Sequence, residues 1–336
     1  MLVFTDEPGE KADGGKRDLV NVKTIGWQCQ VIYEKLSRKN RHRMQEVRIM
    51  KRAEILIEAL PYIKRFTGKT FVIKYGGSVM ENEVLKKKFI EDVALLKLVG
   101  INIVIVHGGG KRINAMLDQV DLEVKFEQGQ RVTDENVMKI VEMVLSGQIN
   151  KDLSACLSAH GLNAVGLCGR DSSLLKAVKN YAVGVDGEKL DLGYVGKVEE
   201  VNKTVLTDLI DAGYVPIISP VACGENGETF NVNADFAAGA VSGALEAEKL
   251  ILLSDIKGLY RDINDEDSFI SEINCDKVKE YIADGTIAGG MIPKMQCCME
   301  AIEKGTREVA IIDGRVEHSL LIEIFTNSGS GTMVTK

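Results

Sequence analysis

The chain has 336 residues, enough for one large α/β domain or two lobes on a shared sheet. Hydrophobic residues make up 45% and charged residues 27%, an ordinary globular balance, and no apolar run reaches the ~18 residues of a membrane span. With 42 basic against 49 acidic residues the net charge is −7, which speaks against nucleic acid as a partner.

Residues 1 to about 45 differ from the rest. Asp6, Glu7, Pro8, Gly9, Asp13, Gly14 and Gly15 crowd one short stretch, and a basic cluster follows: Lys35, Arg38, Lys39, Arg41, His42 and Arg43. A nucleic-acid or anionic-membrane arm is one reading. A solvated tail, or a leader read from an early start codon with Met44 or Met50 the true start, is the reading adopted. No signal-type apolar stretch opens the chain, and the early acidic residues argue against a transit peptide. Next, the apolar positions Ile55, Leu56, Ala59, Leu60 and Ile63 predict an amphipathic helix from Glu54 to Ile63, which Pro61 should kink or interrupt.

After Gly68 the pattern becomes strand, glycine loop, helix. Phe71 to Tyr75 reads as a strand ending in Gly76-Gly77-Ser78; Leu85, Phe89, Val93 and Leu96 share a helical face that Gly100 closes. Ile101 to Val106 is a continuous apolar run, as in a strand buried on both faces, and ends in His107-Gly108-Gly109-Gly110. Similar runs at Tyr214 to Ile218, Leu250 to Leu253 and Val309 to Ile312 each adjoin a helical segment. The alternation predicts a three-layer α/β sandwich around a mostly parallel sheet, with an extra N-terminal helix. Glycines and charges from Asn180 to Gly193 suggest a hairpin or flap. The 7 cysteines lack metal-ligand spacing and read as reduced residues of a cytoplasmic protein, the adjacent Cys297 and Cys298 as packing.

The two glycine clusters stand at the carboxyl ends of buried strands, where open α/β sheets bind ligands and backbone N–H groups can cradle an anion. Neither has the G-x-G-x-x-G spacing of a dinucleotide fold, and Gly68-Lys69-Thr70 lacks the earlier glycine of a Walker A loop. Hydride transfer and P-loop chemistry lose support accordingly. Lys74 ends the first strand, where a buried ammonium needs an anion. Lys294 lies in Gly289-Gly290-Met291-Ile292-Pro293-Lys294, a glycine loop running into a helix, and Asp235 opens a small-residue helix. His107 reads as structural rather than a proton shuttle, and His160 as a helix C-terminal dipole partner.

From Glu54 to Lys336 the chain resembles the amino-acid kinase superfamily, on motifs in the family's order. They are Lys74-Tyr75-Gly76-Gly77-Ser78, His107-Gly108-Gly109-Gly110, Gln130-Arg131-Val132-Thr133, Asn231-Val232-Asn233-Ala234-Asp235, Ser254-Asp255-Ile256-Lys257-Gly258-Leu259-Tyr260 and the Gly289 to Lys294 loop. The resemblance implies ATP, with Mg²⁺ held by its phosphates and water and no protein metal ligands, and N-acetyl-L-glutamate as the acceptor. It implies Lys74 and Lys294 as catalytic lysines, the first at the moving phosphoryl group and the second at the leaving group, with Asp235 holding both. Arg131 and Asn231 would grip the α-carboxylate, and Gly109 and Gly110 would line the acceptor side. Gly77 and Gly109 would donate N–H groups to the phosphoryl group, and Gly76, Ser254, Asp255, Gly258, Tyr260, Gly290 and Met291 would bind the nucleotide. Rival readings are a family member acting on aspartate, glutamate or carbamate, and a non-catalytic arginine sensor.

The C-terminal stretch from Arg315 to Thr326, with Gly329-Ser330-Gly331-Thr332, resembles the arginine-inhibited members of that family, as does Ala59-Leu60-Pro61-Tyr62-Ile63. This implies L-arginine as inhibitor at Tyr62, Glu323, Gly329 and Gly331, a homo-oligomer (a dimer, or a hexamer built as a trimer of dimers), and a regulatory signal protein as a further partner. The expected organisation is a tail over 1–45, the helix over 46–69, an acetylglutamate-binding and dimerising lobe over 70–245 and an ATP-binding lobe over 246–336.

Overall fold

The computed structural model describes residues 54–336, apart from 124, 128, 185, 186 and 328. The expected tail and the candidate starts at Met44 and Met50 lie outside the described residues. The chain divides into units Met1–Ile57 and Glu58–Lys336; of the first, residues 54–57 are described, and they are helical.

The second unit opens with helix α1 (58–66), which runs on through Pro61 without the expected interruption. Pro61 is exposed, so the carbonyl that loses its N–H partner can be hydrated. Phe66 anchors the end of α1 edge-on against Phe71, ring centroids 5.1 Å apart. Strand β1 (Thr70–Tyr75) then leads into α2 (Ser78–Glu81) and α3 (Glu83–Leu98). The Asn82 side chain caps α3 by accepting from the N–H groups of Val84 and Leu85. Gly100, at φ 88°, turns the chain out of it.

The unit repeats with β2 (Asn102–His107) and α4 (Gly110–Gln119), followed by a ribbon of β3 (Phe126–Glu127) and β4 (Gln130–Arg131). Helix α5 (Glu135–Glu142) passes through a π-helical stretch, Met143–Ile149, into α6 (Asn150–Ala159). Then come β5 (Ala164–Cys168), β6 (Leu175–Val183), β7 (Lys189–Val201), α7 (Lys203–Asp211), β8 (Val215–Ser219), β9 (Val221–Cys223) and β10 (Thr229–Val232). Helix α8 (Ala234–Ala244) precedes β11 (Lys249–Ser254), β12 (Leu259–Tyr260), β13 (Phe269–Ile270) and β14 (Glu272–Asn274). The chain ends with α9 (Cys275–Ala283), α10 (Met291–Glu303), β15 (Glu308–Asp313), α11 (Ser319–Phe325) and β16 (Gly331–Thr335).

Among the described residues eight strands form one sheet, in the order β14-β16-β15-β11-β1-β2-β8-β5. Every neighbouring pair is parallel except β15 with β16. Alternate residues of each strand enter opposite layers. Ile73, Ile105 and Ile217 pack against α3, α4, α5 and α6, whereas Val72, Val104 and Leu250 pack against α7, α8 and α10. This is the three-layer sandwich expected, and burial on both faces explains the continuous apolar runs. The hairpin expected from Asn180 to Gly193 is the antiparallel pair β6–β7, which closes on itself with β9 and β10. Among the described residues no helix is long and apolar enough to cross a membrane.

The chain leaves β1 for β2 and its neighbours on one side, and returns to β11 on the other. The carboxyl end of β1 is therefore the point where strand order reverses, the usual place for a ligand crevice.

Candidate active site

Lys74 is the penultimate residue of β1, in register with Val106 of β2 and Leu252 of β11. It points into the same layer as Val72, toward α8. Asn233 caps that helix, its side chain accepting from the Asp235 N–H at 2.8 Å, and so fixes Asp235 in the first turn. Lys74 Nζ lies 3.0 Å from Asp235 Oδ1, and Lys294 Nζ, from the first turn of α10, lies 3.1 Å from Oδ2. One carboxylate thus bridges two ammonium groups brought from opposite ends of the sequence. Burial pushes the Asp235 carboxyl upward, but Lys74 and Lys294 outweigh it and hold the pKa at about 2.

Two glycines shape the floor. Gly77 stands at φ 66°, and a Cβ there would lie 2.9 Å from Asp255 Oδ1. At Gly109 the obstacle is space: a Cβ would meet Ile149 at 2.3 Å and Leu145 at 2.8 Å. Asp255, the residue after β11, accepts from the Ser78 N–H at 3.1 Å and from the Ser78 hydroxyl at 2.6 Å. It therefore ties the glycine loop after β1 to the neighbouring strand.

Arg131 is 8% exposed, with its guanidinium over the Phe126 ring at 4.9 Å. Its Nη2 donates to the Gly110 carbonyl at 3.3 Å, while the buried Nη1 has no protein partner. A buried cationic donor left unpaired asks for an anion. Asn231 is joined to the same spot, its side-chain amide donating to Thr133 Oγ1 at 3.2 Å while the Thr133 hydroxyl donates to the Arg131 carbonyl.

These groups surround one cavity of about 260 Å³, lined by Lys74, Gly76, Gly77, Gly109, Gly110, Arg131, Asn231 and Asp235 together with apolar Ile113, Leu145 and Val195. Lys294 reaches it through Asp235. Ser254, Asp255, Gly258, Tyr260, Gly290 and Met291 lie outside the lining; Ser254 ends β11 and Asp255 follows it, Gly258 precedes β12 and Tyr260 lies on it, and Gly290 and Met291 stand at the start of α10. The apolar wall escaped the sequence reading because a leucine on a π-helical stretch carries no local mark of facing a ligand.

His107 is fully buried, its Nδ1 donating to the Gly108 carbonyl at 3.0 Å and its Nε2 accepting from the Asn150 amide at 3.1 Å. Burial lowers its pKa to about 4, so the ring is neutral at physiological pH. That matches the structural role expected of it, and Asn150 is the partner that the sequence did not reveal. His160 also behaves as expected: it closes α6 and donates to the Cys156 carbonyl at 2.9 Å.

The residues expected to bind arginine gather elsewhere. The Tyr62 hydroxyl donates to the Asn327 side chain, and Glu323 Oε2 accepts from the Ser330 N–H at 2.9 Å, between Gly329 and Gly331. Glu323 Oε1 already has a cation, since Lys249 Nζ lies 3.1 Å away.

Residues 69–313 match the family model described as the amino acid kinase family. The acetylglutamate kinase of Thermoanaerobacter pseudethanolicus is 51% identical over 285 residues, which cover 85% of this chain and 93% of that one. Among solved structures, N-acetylglutamate synthase from Neisseria gonorrhoeae, complexed with coenzyme A and N-acetyl-glutamate, superposes with a TM-score of 0.73 at 26% identity, covering 84% of this chain. The same synthase complexed with coenzyme A and L-arginine gives 0.69 at 25% identity, again over 84% of this chain. The chain spans 63% and 65% of those synthase chains.

Proposed function

The chain belongs to the amino acid kinase family, and from that premise we infer that it transfers the γ-phosphoryl group of ATP to the side-chain carboxylate of N-acetyl-L-glutamate, the second step of arginine biosynthesis. The observation that carries this reading is a single cavity that joins the Lys74–Asp235–Lys294 cluster to Arg131, whose Nη1 is buried without a protein partner.

The acceptor carboxylate, which ordinarily titrates at about 4.3, is ionised near neutral pH, so the nucleophile needs no general base. The obstacle is the approach of one anion to another, and the residues answer it with charge and position. Lys74 meets charge on the moving phosphoryl group and Lys294 the charge growing on the leaving oxygen. Asp235 keeps both ammonium groups aimed. The N–H groups of Gly77 and Gly109 would donate to the transferring phosphoryl group, and Arg131 with Asn231 would hold the α-carboxylate. Ser254, Asp255, Gly258, Tyr260, Gly290 and Met291, on the 246–336 lobe, form the nucleotide's side of the site with Gly76. Mg²⁺ held by the ATP phosphates and water, with no protein ligand, would supply screening of their charge. A cytoplasmic location accords with this substrate pair.

An acyl-phosphate trap with hydroxylamine, run with ATP and each of acetylglutamate, glutamate, aspartate and carbamate, tests the reading. Product is expected with acetylglutamate; product only with a free amino acid or carbamate overturns it. Arg131→Lys is expected to raise the Michaelis constant for acetylglutamate about tenfold or more while leaving that for ATP unchanged, because an ammonium cannot reproduce a bidentate guanidinium–carboxylate pair. A selective effect on ATP contradicts the assignment.

Inhibition by L-arginine at the Tyr62, Glu323, Gly329 and Gly331 cluster, in a hexamer built from dimers, is part of the same proposal. Its support is the clustering of these residues and the apolar Leu60, which is 58% exposed on α1 and available to a neighbouring subunit. A chain lacking residues 1–63 should keep catalysis, lose arginine inhibition and shrink to dimers. Light scattering and an arginine titration on both forms check this; a full-length dimer indifferent to arginine overturns it.

A further inference from the structure

Lys294 and Asp235 meet because two helices run close together. On α8, Asp235, Gly239 and Gly243 recur every fourth residue and share a face; on α10, Lys294, Cys297 and Ala301, spaced by three and then four residues, share one too. A Cβ on Gly239 would lie 3.2 Å from Cys297 Sγ and 3.6 Å from Ala301 Cβ, and one on Gly243 would lie 2.5 Å from Lys304 Cβ. The helices approach as closely as glycine permits. Cys297 is 1% exposed, and its thiol donates to the backbone carbonyl of Asp235 at 3.0 Å. Helix geometry directs the Gly239 N–H to that same carbonyl. Burial pushes the Cys297 thiol well above its ordinary pKa, so it stays protonated and remains a donor.

We propose that Cys297 and Gly239 are positioning residues for the phosphoryl transfer: the thiol–carbonyl bond and the missing Cβ set the spacing of α10 from α8, and so hold the Lys294 ammonium against Asp235. The inference rests on the role assigned above to Lys294. Neither residue lines the cavity, so both act through Lys294, and their replacement touches turnover rather than acceptor binding. Cys297 is then more than packing.

The test compares steady-state kinetics and melting temperature for Gly239→Ala, Cys297→Ala, Cys297→Ser and the Gly239→Ala/Cys297→Ala double variant. The new methyl at 239 makes the sulfur give by a few tenths of an ångström, which should displace Lys294. A kcat about 10-fold lower is expected, with the Michaelis constant for acetylglutamate within about twofold. Cys297→Ala should lower kcat about 3-fold through the lost bond, and Cys297→Ser, which keeps a donor, should recover part of it. The double variant should fall no further than Cys297→Ala alone, because the atom that the methyl meets is gone. Wild-type kcat in Gly239→Ala and Cys297→Ala, additive losses in the double variant, or a Michaelis constant that rises with no change in kcat overturns the proposal. If Gly239→Ala does not fold, the Cys297→Ala and Cys297→Ser pair decides. A wild-type chain that makes no acyl phosphate from any acceptor overturns the kinase reading itself, whereas an active wild type with unaffected variants overturns only this inference.

Discussion

Alanine in place of Lys74 or of Lys294 is expected to lower turnover ~10²–10³-fold while leaving ATP affinity within a few-fold. On the proposed mechanism ground-state ATP would be held at many points, by glycine N–H groups and the nucleotide loop, so one ammonium would contribute little to its binding. In the transition state negative charge concentrates on the transferring group and the leaving oxygen, and there the two lysines have no substitute. Each ammonium is already in place, 3.0 and 3.1 Å from opposite oxygens of Asp235, so no reorganisation is required when the charge develops. Arginine at either position should not restore the rate, because a planar fork cannot occupy the space of a compact ammonium. Turnover by the hydroxylamine trap, set beside calorimetric ATP binding, separates the two effects. Near-wild-type turnover in either alanine variant removes that lysine from the mechanism.

What the sequence discloses depends on how local each cause is. The five central strands β1, β2, β8, β11 and β15 announce themselves, because burial on both faces forces an unbroken apolar run. Lys74 stands out for the same reason, as a charge in a place that should be apolar. The ribbon β3–β4 and the strand β10 carry no such mark, although they bring Arg131 and Asn231 to the cavity. Their pairing partners are set by chain reversals, not by composition.

Long-range partners are hidden altogether. Lys249 is 5% exposed, and its compensating Glu323 stands 74 residues away. Asp255 answers Ser78 across 177 residues, and Cys297 answers Asp235 across 62. Lys249 and Cys297 are buried and must find a partner, but nothing in their neighbouring residues says which, and the same holds for the exposed Asp255. Pro61 does not interrupt α1 for a different reason: at an exposed position water can hydrate the carbonyl that loses its N–H partner.

Asp235→Asn should combine a loss of stability with a loss of turnover as large as that from either lysine. The carboxyl titrates at about 2 in the folded chain against an ordinary 3.8, a shift produced by the two ammonium groups against the opposing effect of burial. A depressed carboxylate pKa means that the unfolded state takes up the proton first as pH falls. The stabilisation is therefore fully present above about pH 4 and disappears as pH drops through about 2. At 1.36 kcal/mol per unit it amounts to about 2 kcal/mol at neutral pH. The side chain is 17% exposed, so solvent screening leaves most of this in place. An amide of the same shape cannot titrate and cannot neutralise two cations, so Lys74 and Lys294 repel across it and lose their aim. Urea denaturation of both proteins should show the variant less stable by about 2 kcal/mol or more at pH 7, with the gap narrowing between pH 4 and 2. Turnover should fall ~10²–10³-fold over the pH range in which both proteins remain folded. A stability gap that stays constant down to pH 2 would mean that the carboxylate contributes packing rather than charge. Wild-type turnover in the variant would mean that the lysines are aimed by something other than Asp235.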